Sequence, residues 1–426
     1  GGEPRARKPT VDGRGRTCGR MTRCRPTLLV AAILVAVSNA DAQEAMTRAE
    51  ILQREREEKA QHLTPPRHPG LERALMDLES GRVFERLLNP AEGLYPKIGN
   101  ITTGSGFSFG PGYRYPRWFD GQLEFSTFAA ASFSHYWMLD ARLQAPRLAD
   151  GRVGLGVHAQ RYDFPKEDFF GLGPDSSRDN EVIYGLRNTV LGGYGTVRPM
   201  PWLNLTAAVD YYSPHIDAIS EEESLLNLFS PADAPGVLVQ PDFFRYSGTV
   251  EVNNRFPLGN PRRGGRYAIT YHRYDDSEID LFSFNRVDID LQQYVPLVKD
   301  RRVLALHARA VMTDPDADAE VPFYFQPTLG GPDDLRGFRH FRFRDRNTLL
   351  FQAEYRWEIF TAVDGAIFYD IGKVAPRHQD FHLSDFERDF GIGFRFGTSN
   401  GVFLRVEGAF GSSAGAHFVL RFGNVF

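Results

Sequence analysis

Cysteine is nearly absent from this 426-residue sequence: there are two. Both, Cys18 and Cys24, lie close to its start. Disulfides and thiol chemistry are therefore excluded as supports for anything after residue 24. Long apolar runs are missing too, since none approaches the ~20 residues that a helix needs to cross a bilayer. Neither sign of charge dominates, with 50 Lys plus Arg against 54 Asp plus Glu, so no global field favours nucleic acid. No segment reads as a nucleophile elbow, which needs a strand, a sharp turn and a helix. Gly397-Thr398-Ser399-Asn400-Gly401 reads instead as a hairpin turn. An enzyme is not expected, and neither is a cofactor.

What is present is glycine, 41 residues, and aromatics at 13%, which suit many strands joined by turns. Met21 is the first methionine. Arg23 and Arg25 follow it, then the apolar run Thr27 to Val37, then the small residues Ser38 to Gln43. That order predicts a secretory signal peptide over 21–42, cleaved after Ala40 or Ala42, with residues 1–20 as an upstream extension. The mature chain would then enter an oxidising compartment without a disulfide. Residues 43–100 read as a periplasmic helical segment. Its first part, 45–62, is polar, Thr64-Pro65-Pro66 breaks it, and Leu71, Ala74, Leu75, Leu78 and Leu87 mark a second amphipathic stretch that ends at Asn89-Pro90.

From residue 101 to 426 the apolar period becomes two. Gln352, Glu354, Arg356 and Glu358 fall on one face, and Ala353, Tyr355, Trp357 and Ile359 on the other. Phe390, Ile392, Phe394 and Phe396 likewise oppose Asp389 and Arg395. A soluble sandwich turns its apolar faces inward, whereas a membrane barrel turns them to lipid. The strands run longer than the ~9–11 residues needed to span. Aromatics gather near strand ends, as at Tyr115, Trp118, Trp202, Tyr211, Tyr212, Phe243 and Phe244. Connections alternate between short (Met200-Pro201-Trp202, Val298-Lys299-Asp300) and long (214–242, 314–346, 372–385). Together these predict an all-β transmembrane antiparallel barrel. Counting back from a periplasmic C-terminus makes 165–180 an outer loop. The count favours sixteen strands over fourteen, with one strand hidden near 95–104.

The long loop before the strand at 347–359 carries Arg336, Arg339, Arg342, Arg344 and Arg346. Within it, Leu335-Arg336-Gly337-Phe338 resembles the sixth-loop motif of the BamA/TamA-type superfamily of outer-membrane barrels, also called the bacterial surface antigen family. Phe368-Tyr369-Asp370-Ile371-Gly372 resembles that family's aromatic-x-Asp-x-Gly strand, and Pro261-Arg262-Arg263-Gly264-Gly265 one of its turns. The resemblance spans residues 101–426. It implies that the loop folds into the lumen and that Arg336 meets inward acids, for which alternation offers Glu354 and Asp370, with Gly372 just beyond. A guanidinium suits two carboxylates by its planar fork. Gly337 is expected to allow a tight turn. The other four arginines are expected to be solvated or to touch lipid A phosphates.

Phe418, Leu420, Phe422 and Phe426 alternate in the last strand. By resemblance they form the signal that barrel-assembly machinery reads, and by pattern alone a lipid-facing edge. Residues 43–100 fit no βααββ pattern, so the chain resembles the branch of the family without POTRA modules, its helices capping or plugging the barrel. His378 and His382, and the run Asp314, Asp316, Asp318 and Glu320, are too sparse to predict a metal site. The expected location is the outer membrane. The expected partners are its lipid and lipopolysaccharide, the assembly machinery, and client polypeptides that a weak first-to-last strand seam would help insert or translocate. A passive pore and a surface-interaction barrel are the alternatives.

Overall fold

A computed structural model describes residues 92–218, 225–360, 362–382, 384–398, 401–411, 415–423 and 426. The extension, leader and helical stretches expected before residue 91 lie outside these residues. The period-two segments form one antiparallel sheet of sixteen strands in chain order. Its first half contains β1 (Gly93–Gly99), β2 (Ser108–Trp118), β3 (Leu123–Ser132), β4 (Trp137–Leu148), β5 (Val153–Phe169), β6 (Val182–Met200), β7 (Leu203–Ala218) and β8 (Phe243–Asn253). The second half contains β9 (Gly264–Asp276), β10 (Phe284–Val298), β11 (Arg302–Pro315), β14 (Asn347–Phe360), β15 (Val363–Ala375), β16 (Glu387–Thr398), β17 (Gly401–Gly411) and β18 (Gly415–Arg421). Between β11 and β14, β12 (Thr328–Leu329) pairs with β13 (Phe343–Arg344) inside the long loop.

The sixteenth strand is β1, which starts ahead of residue 101 and inside the stretch read as helical. Glycines at its ends and Pro96 in its middle blur the alternation. Proline has no N–H to give and is tolerated on an edge strand, which β1 is. Residues 165–169 belong to β5 rather than to the expected loop.

The sheet is inside-out relative to a soluble core. Phe390, Ile392 and Phe394 of β16 are 59%, 52% and 46% exposed, while Asp389 and Arg395, which flank them, are each 1% exposed. The largest fully buried side chains include Arg336, Arg356, Arg395 and Arg405. Only a wall with hydrocarbon outside and a polar lumen makes that distribution favourable. The sheet is a nearly closed barrel.

Two features frame the lumen. Above it, Phe169, Tyr184, Ile216, Leu225, Phe229 and Phe323 form an apolar cluster that joins strand ends to outer loops. At the seam, no ladder joins β18 to β1 among the described residues. What meets there is Phe422, whose N–H donates to Asn100 Oδ1 at 3.4 Å and whose ring centroid is 5.8 Å from that of Phe107.

Candidate functional site

Alternation carries inward charge from four neighbouring strands to one level of the lumen. β14 supplies Glu354 and Arg356, β15 Asp370, β16 Asp389 and Arg395, and β17 Arg405 and Glu407, all buried. Register sets like against like: Asp370 lies opposite Asp389, and Arg395 opposite Arg405. Such pairs repel when nothing separates them.

The long loop brings the missing cation. Arg336 donates from Nε and Nη2 to the two oxygens of Asp370, both at 2.7 Å, a fork-to-fork pair. Its Nη1 reaches Glu354 at 2.6 Å and Glu407 at 3.3 Å. The guanidinium lies 3.4 Å over the Phe368 ring, a cation–π contact in a dry setting. Glu354 in turn accepts from Arg356 Nε at 2.7 Å and from Arg395 Nη2. Arg405 donates to Glu407 at 3.1 Å and to Asp333 at 2.9 Å, and Asp333 also takes Arg421 at 2.6 Å. Four buried arginines thus stand among four buried carboxylates, which keeps the interior near neutrality, while both Asp389 oxygens lack a hydrogen-bond partner.

The loop seats by packing as well as charge. Leu335 and Phe338 join Leu329, Phe343, Leu350 and Val374 in a buried cluster. Gly372 leaves room for it, because a β-carbon there would meet Leu329 Cδ1 at 2.9 Å and Leu335 Cδ1 at 3.4 Å. Gly337 is required for close approach rather than for a left-handed turn. A β-carbon would sit 2.5 Å from the Gly411 nitrogen and 2.6 Å from Asp389 Cβ. Gly337→Ala is expected to cost about 1–3 kcal/mol as overpacking, read as a lower temperature for loss of the compact band in heated gel samples. An unchanged temperature would show that the loop does not seat this deeply.

Of the other loop arginines, Arg342 and Arg344 depart from expectation. Arg344 is buried, donating to the Phe323 carbonyl at 2.7 Å and to the Tyr184 hydroxyl at 3.2 Å. Arg342 donates to the Ser176 carbonyl at 2.5 Å and covers the Phe343 ring at 4.6 Å. Arg339 is exposed and pairs with Glu181. Aromatic neighbours draw both inward: for Arg342 the adjacent Phe343, and for Arg344 the sequence-distant Phe169 and Tyr184.

The last-strand residues divide. Phe418 and Leu420 face outward at 75% and 55% exposure, Phe422 sits at the seam, and Phe426 is buried in the lumen rather than on the lipid face. In the acidic run, the Arg273 guanidinium holds the Asp316 carboxyl below its usual range. Among the described residues, no three His, Cys, Asp or Glu side chains could hold a metal. Gly106-Phe107-Ser108-Phe109-Gly110 has the spacing of a nucleophile elbow, but Ser108 lies in β2, where its buried Oγ donates to the Gly99 carbonyl at 2.7 Å.

A profile of the Omp85 superfamily domain matches residues 108–414. BamA from Haemophilus ducreyi, in a form lacking POTRA domains 1–3, matches with a TM-score of 0.57 at 16% identity, over 78% of this chain and 70% of that one. CdiB from Acinetobacter baumannii matches with a TM-score of 0.50 at 15% identity, over 78% of this chain and 59% of its own. CdiB from Escherichia coli matches with a TM-score of 0.52 at 13% identity, over 77% and 61%. The chain therefore spans about three fifths of either CdiB, as those shares state. No curated protein matches. The profile covers well over half of the sequence, and the chain belongs to the Omp85 superfamily.

Proposed function

We propose that this barrel lies in a bacterial outer membrane and assists the insertion or translocation of polypeptides through the gap between β1 and β18. The observation that carries the reading is the seam: β1 and β18, seven residues each, end the sheet with no ladder between them among the described residues. An edge of free N–H and C=O groups is a template on which an extended segment adds a strand, with backbone hydrogen bonds supplying affinity. Membership of a superfamily whose barrels serve insertion and secretion supports it. A passive pore would need a clear lumen, and the seated loop with its Arg336 network disfavours that reading.

The test is reconstitution of the chain in liposomes with an unfolded barrel as client, following protease protection. The client is expected to gain protection faster than in empty liposomes. With Cys18 and Cys24 replaced by serine, an oxidised Asn100→Cys/Phe422→Cys pair, placed where these residues touch, is expected to reduce that rate to the empty-liposome value. Reductant should restore it. A client that inserts no faster than in empty liposomes would sink the proposal.

A further inference from the structure

The lipid-facing side of β5 changes character near its outer end. From the periplasmic side its outward residues read Val153, Leu155, Val157 and Ala159, and then comes Arg161, exposed. On β6 the residue opposite Arg161 is Thr189, and the outward residue below it is Leu191, also exposed. Arg161 and Thr189 therefore stand where the apolar band gives way to the outer rim, at the height of lipid headgroups. Arg161 Nη1 donates to Thr189 Oγ1 at 2.6 Å, which fixes the guanidinium against the wall; among the described residues no carboxylate pairs with it. Arg187, one outward position higher on β6, lies opposite Asp163 and is taken by Asp217 at 2.7 Å.

Below and beside Arg161 the wall is hollow. Thr127, Ala141 and Ala159 share one outward row across β3, β4 and β5, and Ala129 faces Leu139 in the row above. Tyr113, Leu139 and Leu191 stand around them. Four short side chains among long ones leave a depression of about 520 Å³ that reaches from Tyr113 to Arg161 and Thr189. That volume lies within the ~300–1,000 Å³ of small-molecule sites. A furrow gives a hydrocarbon chain walls on several sides, where a convex surface gives one, and each added contact contributes dispersion.

We infer that this furrow, with Arg161 and Thr189 at its outer end, is a binding site for one molecule of lipid A. An acyl chain lies along Thr127, Ala129, Ala141 and Ala159, and a phosphate takes the Arg161 guanidinium. The occupant follows from charge and height. A guanidinium without a counter-ion at the edge of hydrocarbon calls for an anion, and its planar fork suits two phosphate oxygens. The apolar furrow directly below calls for a chain attached to that anion, so the ligand is a phosphorylated lipid rather than free phosphate. The site lies toward the strand ends that carry the long loops, and the leaflet at that side of a bacterial outer membrane is lipopolysaccharide. This choice of lipid rests on the outer-membrane location proposed above; it does not rest on the seam.

Native mass spectrometry of the full chain in detergent, titrated with bisphosphorylated lipid A, tests the site. The first lipid A is expected to bind about tenfold more weakly to Arg161→Gln, which removes a charge-assisted contact. Ala141→Leu/Ala159→Leu fills the furrow without touching the charge, and should also weaken binding. Arg187→Gln, at the cation already paired with Asp217, should bind like the unaltered protein. Dephosphorylated lipid A and dioleoyl phosphatidylglycerol should bind the unaltered chain no better than lipid A binds Arg161→Gln. A heat-resistant compact gel band confirms that each variant is folded. Undiminished affinity in Arg161→Gln or in the furrow-filled variant overturns the inference. Phosphatidylglycerol that binds as tightly as lipid A overturns lipopolysaccharide as the occupant. Recovery of the chain from a membrane other than the outer one would overturn the location reading, a failure these titrations do not register.

Discussion

Glu354→Ala is expected to destabilise the barrel more than any other single change in the lumen, by about 3–5 kcal/mol, as removal of one partner from a buried ion pair does. The physical reason is the number of cations that depend on it. Glu354 accepts from Arg336 and Arg356 at 2.6 and 2.7 Å, and from Arg395 as well. Without it those three guanidiniums face one another in a water-poor interior, with Asp370 and Glu407 already committed. Glu354→Gln keeps one acceptor oxygen and the side-chain shape but not the charge, and should lose less, about 1–3 kcal/mol. The measurement is the temperature at which the compact, heat-modifiable gel species disappears in detergent. Alanine and glutamine variants that melt with the unaltered protein would show that this cluster contributes nothing to the native state.

Arg336→Ala should come next, at about 3–5 kcal/mol by the same logic, but with a different local signature. It leaves Asp370 opposite Asp389 with no cation between them, and it removes the anchor of residues 328–346. The loop is therefore expected to become accessible to added protease while the strands stay protected. Lysine should not rescue it, because a point charge cannot meet both Asp370 oxygens in one plane as the guanidinium does. The register also ranks two charge swaps. Exchanging Arg336 with Asp370 restores a pair whose members mainly serve each other, so it should recover part of the lost stability. Exchanging Arg336 with Glu354 would set an arginine beside Arg356 and Arg395, and should recover none. Equal behaviour of the two swaps would contradict the contact map.

Period-two alternation made the wall legible, because each strand's chemistry splits cleanly between two solvents; Phe390, Ile392 and Phe394 against Asp389 and Arg395 are enough to see it. The loop motif and its partners Glu354 and Asp370 were legible as well, since an inward arginine needs acids and the neighbouring strands offered them. Glu407, Arg395 and Arg405 were visible as inward residues but not as members of the same cluster. Alternation gives a face and not a height, and height depends on the stagger between strands. β1 was obscured by Pro96 and its flanking glycines. The burial of Arg344 beside Phe169 and Tyr184 brings it to residues more than a hundred positions away, which no local pattern reports.

Arg336 sits 18 residues before Glu354, 34 before Asp370 and 71 before Glu407. The loop that carries it is synthesised first, yet its seat is built from strands that come after it in the chain. Seating must therefore wait for the final two hairpins, and a chain halted before residue 407 has a guanidinium with its full complement of counter-ions still unmade. The docked loop is thus a record that the strands carrying Glu354, Asp370 and Glu407 are in place around it.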